Sequence, residues 1–255
     1  MSEQTNSIHL PDIPLQAKGN VRSFLQDVLS SLPEEVLSVA LTGSCVTGDY
    51  LPGRSDINSV VVLSGITPAI LDILASLGGR HGKKGISAPL VMTPEYIERS
   101  LDVFPVEFLD IKLIHITIYG REFFSGLAIN KSLLRLQCER ELKSKLIHLQ
   151  QGYISSSGKR RPLSLLLRDA YPGFFPLLRA MLSIVRISNP PPLPKEEVLS
   201  HIESTFGISL DPLRRIRDSA AKRYPGAGRQ SMQKLFAEVY KVTYDLSLVM
   251  DQLSH

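Results

Sequence analysis

Two short apolar runs enclose a glycine-bearing stretch, and this arrangement constrains the fold more than any other feature of the chain. Residues 36–41 and 60–63 are rich in β-branched and aliphatic side chains, as are strands inside a sheet that is covered on both faces. The first run leads into Gly43-Ser44, and Asp56-Ile57-Asn58 opens the second. The pattern therefore predicts two buried strands, with Gly43 at the sharp exit from the first one.

The polar residues between these strands are suited to a phosphate ligand. Side chains two residues apart on a strand point the same way, so Asp56 and Asn58 are expected on one face. Carboxylate oxygens are the ligands that magnesium takes together with substrate phosphates. A Gly-Ser turn before a short helix offers backbone N–H groups and a hydroxyl to a phosphate, and residues 46–50 are long enough for one helical turn.

This pattern resembles the signature of the polymerase-β-type nucleotidyltransferases, which is a strand ending in Gly-Ser, a short helix, and a strand carrying acid-x-acid. Eleven residues separate Ser44 from Asp56, a separation typical of that superfamily. Gly48-Asp49, Pro52-Gly53 and Ser55-Asp56 are similar to its aminoglycoside-nucleotidyltransferase-like branch. The resemblance implies transfer of a nucleoside monophosphate from a nucleoside triphosphate, with ATP expected, to a hydroxyl acceptor, with Mg²⁺ as cofactor.

The same resemblance implies roles for individual residues. Gly43, Ser44 and Ser55 would bind the nucleotide, and Asp56 would be a catalytic residue and a metal ligand. The second acid of the signature is Asn58 here, whose amide oxygen can also bind the metal but has no charge. At contact distance and intermediate dielectric, a missing charge weakens the attraction to a cation by about 4 kcal/mol.

Three functions are open from the sequence. The first is a magnesium-dependent nucleotidyltransferase whose acceptor is a small amino alcohol, a protein or an RNA. The second is a catalytically impaired protein of the same fold that binds a nucleotide or a partner, and Asn58 is the reason to consider it. The third is a basic helical module that binds RNA, although the chain lacks the aromatic-rich basic strand that would support it.

The third carboxylate of the superfamily comes from a later strand, and Glu107 and Asp110 are the candidates. Residues 104–111 are predicted to be a strand. On that strand, Glu107 would share a face with Leu109 and Ile111. An acid in that position suggests a function, so Glu107 is expected to be a catalytic residue and a metal ligand. Asp110 could instead pair with a basic residue at the end of the strand.

The second half of the sequence differs from the first. Strands are also predicted over residues 88–92 and 114–119, but from residue 130 the apolar spacing is helical to the end. The predicted fold class is α+β, with an N-terminal nucleotidyltransferase-like mixed sheet flanked by helices, followed by an all-helical C-terminal bundle. We expect a nucleotidyltransferase-like domain over 1–127 and a helical domain over 128–255, with a polar arm at 1–15 and a stiff proline connector at 189–192.

The charge of the chain suits a phosphate-bearing ligand without requiring a nucleic acid. The formal net charge is +4, which is too small to indicate nucleic-acid binding by itself. The basic stretches at 159–161 and 214–229 are predicted to be solvated surfaces, and the alternative is that they line the acceptor side of a ligand cleft. Arg140 and His148 do not have the spacing expected for a helical toxin-type ribonuclease.

The remaining signals concern the compartment and single reactive residues. Cys45 and Cys138 are far apart and have no metal-ligand spacing, which favours a reduced, intracellular chain. The first ten residues lack a signal-peptide pattern, and no apolar run is long enough to cross a bilayer. We therefore expect a cytoplasmic protein with no membrane partner. Cys45, His115 and His148 are interpreted as structural residues rather than as a nucleophile or ligands.

Overall fold

The computed structural model describes residues 13–185, 192–221 and 229–253. The chain divides into two compact units. The first comprises Met1–Ile129 with Pro190–Pro194, and the second comprises Asn130–Asn189 with Lys195–His255. The predicted N-terminal arm and the predicted proline connector lie largely outside the described residues.

The described part of the first unit contains a four-stranded mixed sheet in the order β3-β2-β1-β4. Its strands are β1 (Val36–Thr42), β2 (Asn58–Leu63), β3 (Leu90–Met92) and β4 (His115–Gly120). Strand β1 pairs antiparallel with β2 and with β4, and β3 pairs parallel with β2. The sheet thus confirms the predicted mixed sheet, with the first apolar run of the sequence at its centre.

Helices flank this sheet, and several begin where the sequence has a capping residue. They are α1 (Leu15–Ser31), α2 (Ser44–Thr47), α3 (Pro68–Gly82), α4 (Pro94–Ser100) and α5 (Pro105–Leu113). The hydroxyl groups of Thr67 and Thr93 accept backbone N–H groups in the first turns of α3 and α4, and each threonine is followed by a proline. The hydroxyl satisfies one of the N–H groups that have no partner at a helix start, and the proline has no such N–H group.

The two faces of the sheet are covered by different helices. One face packs on α1 and α3, through the buried side chains Val39, Leu41, Val61, Leu63, Val21, Leu25, Leu74 and Leu77. The other face packs on α4, α5 and Phe124, through Ala40, Val60, Val62, Met92, Ile97, Phe108 and Ile111. Burying one such valine or leucine contributes about 1.5–3 kcal/mol to stability. Because successive side chains of a strand point to opposite faces, the alternation along β1 and β2 determines which side chains enter which core.

The prediction of a strand over residues 104–111 is wrong, because this segment forms α5. Pro105 occupies the first turn of the helix, where its missing N–H costs nothing. Phe108 and Ile111, three residues apart, both point into the core beneath the sheet. A short apolar run does not by itself distinguish a strand from a buried helix, and here the three-residue spacing decides. Glu107 therefore does not lie on a strand face.

The end of α5 is joined to β4 and the following loop by a charged pair. His115 has a buried side chain, and its Nδ1 donates to the carbonyl of Ile111 at 2.8 Å. Its Nε2 donates to Oε1 of Glu122 at 3.0 Å. Neither a carbonyl nor an ionised carboxylate has a proton to give, so this arrangement favours the doubly protonated imidazolium form of the ring. Glu122 also accepts the Thr117 hydroxyl and the backbone N–H groups of the loop.

The two partners shift each other's protonation in opposite directions. Burial lowers the pKa of His115, but the hydrogen bond and the charge of Glu122 outweigh burial and the pKa is raised. Burial raises the pKa of Glu122, but hydrogen bonds from His115, Thr117 and the backbone hold it well below its usual range. The folded chain therefore favours the charged form of both groups.

The described elements of the second unit are all helical, which confirms the predicted helical C-terminal region. They are α6 (Lys131–Ser156), α7 (Arg160–Ala170), α8 (Phe175–Val185), α9 (Lys195–Phe206), α10 (Asp211–Ala221) and α11 (Arg229–Gln252), with a 3₁₀ turn at Pro172–Phe174. Helix α6 packs against α7, α8 and α11. Asn130 caps α6 by accepting two backbone N–H groups. Of the helices described, none is both long and apolar enough to cross a membrane.

The His115–Glu122 pair should make stability depend on pH. Because the pKa of His115 is raised in the folded chain, the pair stabilises fully below the unfolded value of about 6.5 and loses its effect as the pH rises through the folded value. We expect His115→Gln to lower the free energy of unfolding by about 1–3 kcal/mol in mildly acid solution, since it removes a hydrogen bond to a charged group.

Urea unfolding curves between about pH 5 and about pH 9 measure this effect. The difference between the wild type and His115→Gln should shrink as the pH rises. His148→Gln is the matched control, because His148 is an exposed histidine. A difference that is the same at every pH would contradict the imidazolium assignment.

A second prediction concerns Gly120, which ends β4 with a φ of 74°. A Cβ at this position would lie 2.1 Å from the carbonyl oxygen of Leu37, so a side chain would push the backbones of two paired strands apart. We expect Gly120→Ala to lower the free energy of unfolding by more than about 1 kcal/mol, as measured by urea denaturation. Gly126→Ala is the control, because a Cβ there meets no atom within 4 Å, and an equal loss in both variants would refute the steric explanation.

Candidate active site

The turn that follows β1 is built around a glycine. Gly43 turns the chain with a φ of 76°, a conformation that strains residues with a side chain. A Cβ at this position would also lie 3.2 Å from Nδ2 of Asn58. Gly43 therefore permits both the left-handed turn and the close approach of the Asn58 side chain. Ser44 begins α2 directly after this turn.

The loop between α2 and β2 is held by short polar contacts. Gly48 ends α2 in the left-handed conformation, and the Thr47 hydroxyl donates to Oδ2 of Asp49 at 2.7 Å. The Ser55 hydroxyl accepts the backbone N–H of Leu51 at 3.0 Å. Ser55, a predicted nucleotide-binding residue, thus shapes the turn that precedes Asp56. Its contact with a nucleotide stays a prediction.

Asp56 and Asn58 are both exposed and flank the buried Ile57. The backbone N–H of Ile57 donates to the carbonyl of Gly85, and its carbonyl accepts the N–H of Ser87. Because these bonds fix the backbone of Ile57, the residues on either side of it are also fixed. Alternation along β2 puts Asn58 on the same face as Val60 and Val62, and Asp56 follows the same two-residue period.

The sheet brings three strands to this position. Thr42, the last residue of β1, pairs with Asn58 of β2 on one side and with His115 of β4 on the other. The row therefore contains an amide, a hydroxyl and a buried imidazole whose two nitrogens bond Ile111 and Glu122. The two outer described strands, β3 and β4, contain no acid. The His115–Glu122 pair has no signal in the sequence, because Glu122 lies in a loop without a recognisable pattern.

Glu107 and Asp110 lie on α5, where Glu107 is exposed in the first turn and Asp110 is half-buried. The strand face that suggested Glu107 as the third ligand does not exist. Helix α5 nevertheless covers the face of the sheet on which Asn58 lies, through Phe108 and Ile111. The choice between Glu107 and Asp110 as third carboxylate stays a prediction. Among the described residues, no group of three or more His, Cys, Asp or Glu side chains converges as a metal site.

The donors present fit one magnesium ion better than two. Asp56 offers a carboxylate and Asn58 an amide oxygen, both exposed and on one strand. Magnesium is often bound through one or two carboxylates together with substrate phosphates, so this set fits an ion that arrives with a triphosphate. It lacks the charge that would hold a second ion beside the first.

The two cysteines of the chain are both buried and free. Cys45 is buried, its Sγ lies 3.6 Å from the carbonyl of Thr42, and burial raises the pKa of its thiol. A thiol with a raised pKa is a poor nucleophile at neutral pH. Cys138 is also free and buried, and burial raises the pKa of its thiol to about 12.

The arginines on α10 that begin the basic stretch over residues 214–229 are paired with carboxylates inside the second unit. Arg214 forms two hydrogen bonds with Glu203, at 2.7 and 2.9 Å, and a third with Glu196 at 2.6 Å. Arg217 also bonds Glu196, and Arg215 bonds Glu238. These arginines join α10 to α9 and α11 and are engaged by carboxylates. In contrast, the stretch at 159–161 lies exposed at the start of α7.

Comparisons with known proteins agree with this fold. Residues 21–115 match the protein family described as a nucleotidyltransferase domain. The chain is similar in fold to the solved structure of spectinomycin adenyltransferase AAD(9) from Enterococcus faecialis with ATP and spectinomycin, with a TM-score of 0.54. The match covers 90% of this chain and 98% of that chain at 13% identity, so the likeness concerns the fold alone.

No curated protein sequence matches this chain significantly. The family match extends from α1 to the first residue of β4, and so it includes every residue of the turn and both strands around it. Residues 21–115, which contain the Gly43-Ser44 turn and Asp56, thus match a nucleotidyltransferase domain, and the fold agrees with the resemblance to the polymerase-β-type superfamily.

Proposed function

We propose that this chain transfers a nucleoside monophosphate from a nucleoside triphosphate to a hydroxyl acceptor. The observation that supports the proposal is the pairing of β1 with β2, which brings the Gly43-Ser44 turn against Asn58, two residues after Asp56 in the sequence. ATP is the proposed donor, because the solved structure of similar fold contains ATP. We propose the cytoplasm as its location, in keeping with two free cysteines.

In this proposal the residues of the turn bind the nucleotide. The Ser44 hydroxyl and the backbone of the turn bind phosphate oxygens, and Gly43 leaves their approach open because it has no side chain. Ser55 supports the loop and contacts the nucleotide. Asp56 and Asn58 would hold one magnesium ion, which neutralises part of the phosphate charge when bound.

The chemistry then requires little from the protein beyond placement. The oxygen of the acceptor hydroxyl forms a bond to the α-phosphorus and loses its proton, while the bond to the leaving pyrophosphate breaks. Glu107 is the proposed base or additional ligand, on a helix that covers the same face of the sheet. The acceptor is defined only by its hydroxyl group.

A second candidate function is binding without transfer. The donor set favours it, because Asp56 stands with a neutral amide where the superfamily signature has a second acid. The outer described strands β3 and β4 add no carboxylate. A chain of this kind would bind a nucleotide or a partner through the same turn and would lack the charge needed for catalysis.

Calorimetry of ATP with and without magnesium tests the role of the acidic strand. We expect the wild type to bind ATP more tightly with magnesium and Asp56→Asn to lose that difference. Asn58→Asp should raise the magnesium-dependent affinity by at least about tenfold, because an added charge next to a cation contributes more than about 1.4 kcal/mol. Asp72→Asn, which changes an exposed acid on α3, should bind as the wild type does.

A transfer assay with labelled ATP and candidate hydroxyl acceptors separates the two functions. Transfer by the wild type supports the first. Binding without transfer, followed by a gain of transfer in Asn58→Asp, supports the second. If the wild type shows no magnesium-dependent binding of ATP at all, the enzyme proposal fails.

The turn itself provides a further prediction. Ser44→Ala should lower ATP affinity by about tenfold or more without changing stability, since a hydrogen bond to a charged phosphate contributes about 1.5–3 kcal/mol.

Gly43→Ala should lower both ATP affinity and the free energy of unfolding, because its φ is 76° and its Cβ would crowd Asn58. Gly53→Ala is the matched control, since Gly53 also has a positive φ but a Cβ there meets no atom within 4 Å. Equal ATP affinity in Gly43→Ala and Gly53→Ala would contradict a role for the turn in binding.

A further inference from the structure

The second unit contains a cavity of about 270 Å³ between α6, α7 and the 3₁₀ turn. Its apolar wall includes Leu149, Leu166 and Phe174, and its polar lining consists of Lys145, His148 and Asp169. Pockets for drug-sized molecules are about 300–1,000 Å³, so this cavity fits a smaller molecule. None of the functions considered above uses it.

Two glycines determine the shape of this cavity. A Cβ on Gly152 would lie 2.5 Å from Cδ1 of Leu166, so glycine lets the Leu166 side chain pack directly on the backbone of α6. A Cβ on Gly173 would lie 2.7 Å from Nζ of Lys145. The ammonium group therefore lies over the backbone of the 3₁₀ turn, in space that another residue at position 173 would fill.

Lys145 is the main polar group of the cavity. Its side chain is half-buried, and Nζ lies 4.9 Å from the centre of the Phe174 ring. Its ammonium contacts the Phe174 ring, and none of the hydrogen bonds or salt bridges between described residues involves Lys145. Burial lowers the pKa of Lys145, and the nearby Glu141, which is paired with Arg140 at 3.3 Å, acts in the opposite direction. The hydrogen-bonding capacity of the ammonium is thus unused by the described protein.

The other charges around the cavity leave a positive excess. His148 follows Lys145 by three residues on α6, so both side chains lie on one face of the helix. Asp169 is exposed at the rim and is paired with Arg168 at 3.2 Å, which offsets its charge. A ligand in the cavity would therefore meet an ammonium and an imidazole at one end and an apolar wall at the other.

We propose that this cavity binds a small organic anion, with a carboxylate or phosphate group on Lys145 and His148 and an apolar body against Leu149, Leu166 and Phe174. The proposal is independent of the function assigned to the first unit. The competing explanation is structural: Lys145 buries its aliphatic chain and stacks its ammonium on Phe174, and no ligand is involved.

Ligand-observed NMR titration of the full-length chain tests the proposal with four probes of similar size. Benzoate and phenyl phosphate carry the anionic group, benzyl alcohol is neutral, and benzylamine is cationic. We expect saturable binding of at least one anion and weaker binding of the neutral and cationic probes. The stronger of the two anions then identifies the head group that the site prefers.

Variants locate the binding. Lys145→Met keeps the length of the side chain and should weaken the anion by at least about tenfold, since a hydrogen bond to a charged group is lost. Ala170→Leu, at another lining position, should weaken all probes by reducing the space. Lys234→Met removes an exposed lysine on α11 and should leave binding unchanged.

Three results would overturn the proposal. The first is equal affinity for all four probes, which would indicate that the aromatic body binds without any preference for an anionic group. The second is anion binding that Lys145→Met does not weaken, and the third is no saturable binding of either anion. Thermal unfolding of each variant shows whether it is folded, and if Lys145→Met is not, the Ala170→Leu result decides.

Discussion

The candidate site depends on the pairing of β1 along both of its edges. Val39, Ala40 and Leu41 are fully buried at the centre of the sheet, and each pairs with a residue of β2 and with a residue of β4, with one shift in the β4 register between Val39 and Ala40. A strand held in this way has little freedom to shift its register, because a slip by one residue would exchange its two faces. Thr42 therefore fixes the positions of Asn58 and His115 relative to each other, and the loop residues around them are carried by a rigid scaffold.

The charge at this end of the sheet has consequences for the proposed function. With one carboxylate and one amide, the site attracts a cation weakly until a triphosphate contributes its own oxygens. Metal and nucleotide would then bind together. Each would raise the affinity of the site for the other, because coupling between two bound ligands is reciprocal. His115 lies on the third strand of the row, where its charge is balanced by the carboxylate of Glu122.

The sequence predicted the parts of the fold that have a simple period. The runs that became β1 and β2 alternate between two cores, and the glycine at position 43 was identified from the sharp exit it permits. Helix α5 was missed because Pro105 and a run of apolar residues are compatible with either a strand or a helix until the packing of Phe108 is known.

The polar contacts were harder to predict, for a physical reason. Glu122 gathers four hydrogen bonds in a loop, and Arg214 joins acids that are eleven and eighteen residues away in the sequence. Such contacts depend on the three-dimensional path of the chain, and no local pattern encodes them. The cavity beside Lys145 is of the same kind, because it requires two glycines on different elements to face long side chains.

The short outer strand β3 has a consequence for the behaviour of the chain at high concentration. An unpaired strand edge is a template on which another chain can add a strand, and long, flat edges are the most hazardous. Strand β3 is three residues long and carries the half-exposed Leu90, so it offers few free backbone groups to an incoming strand. The short length of β3 therefore disfavours edge-to-edge self-association through this side of the sheet.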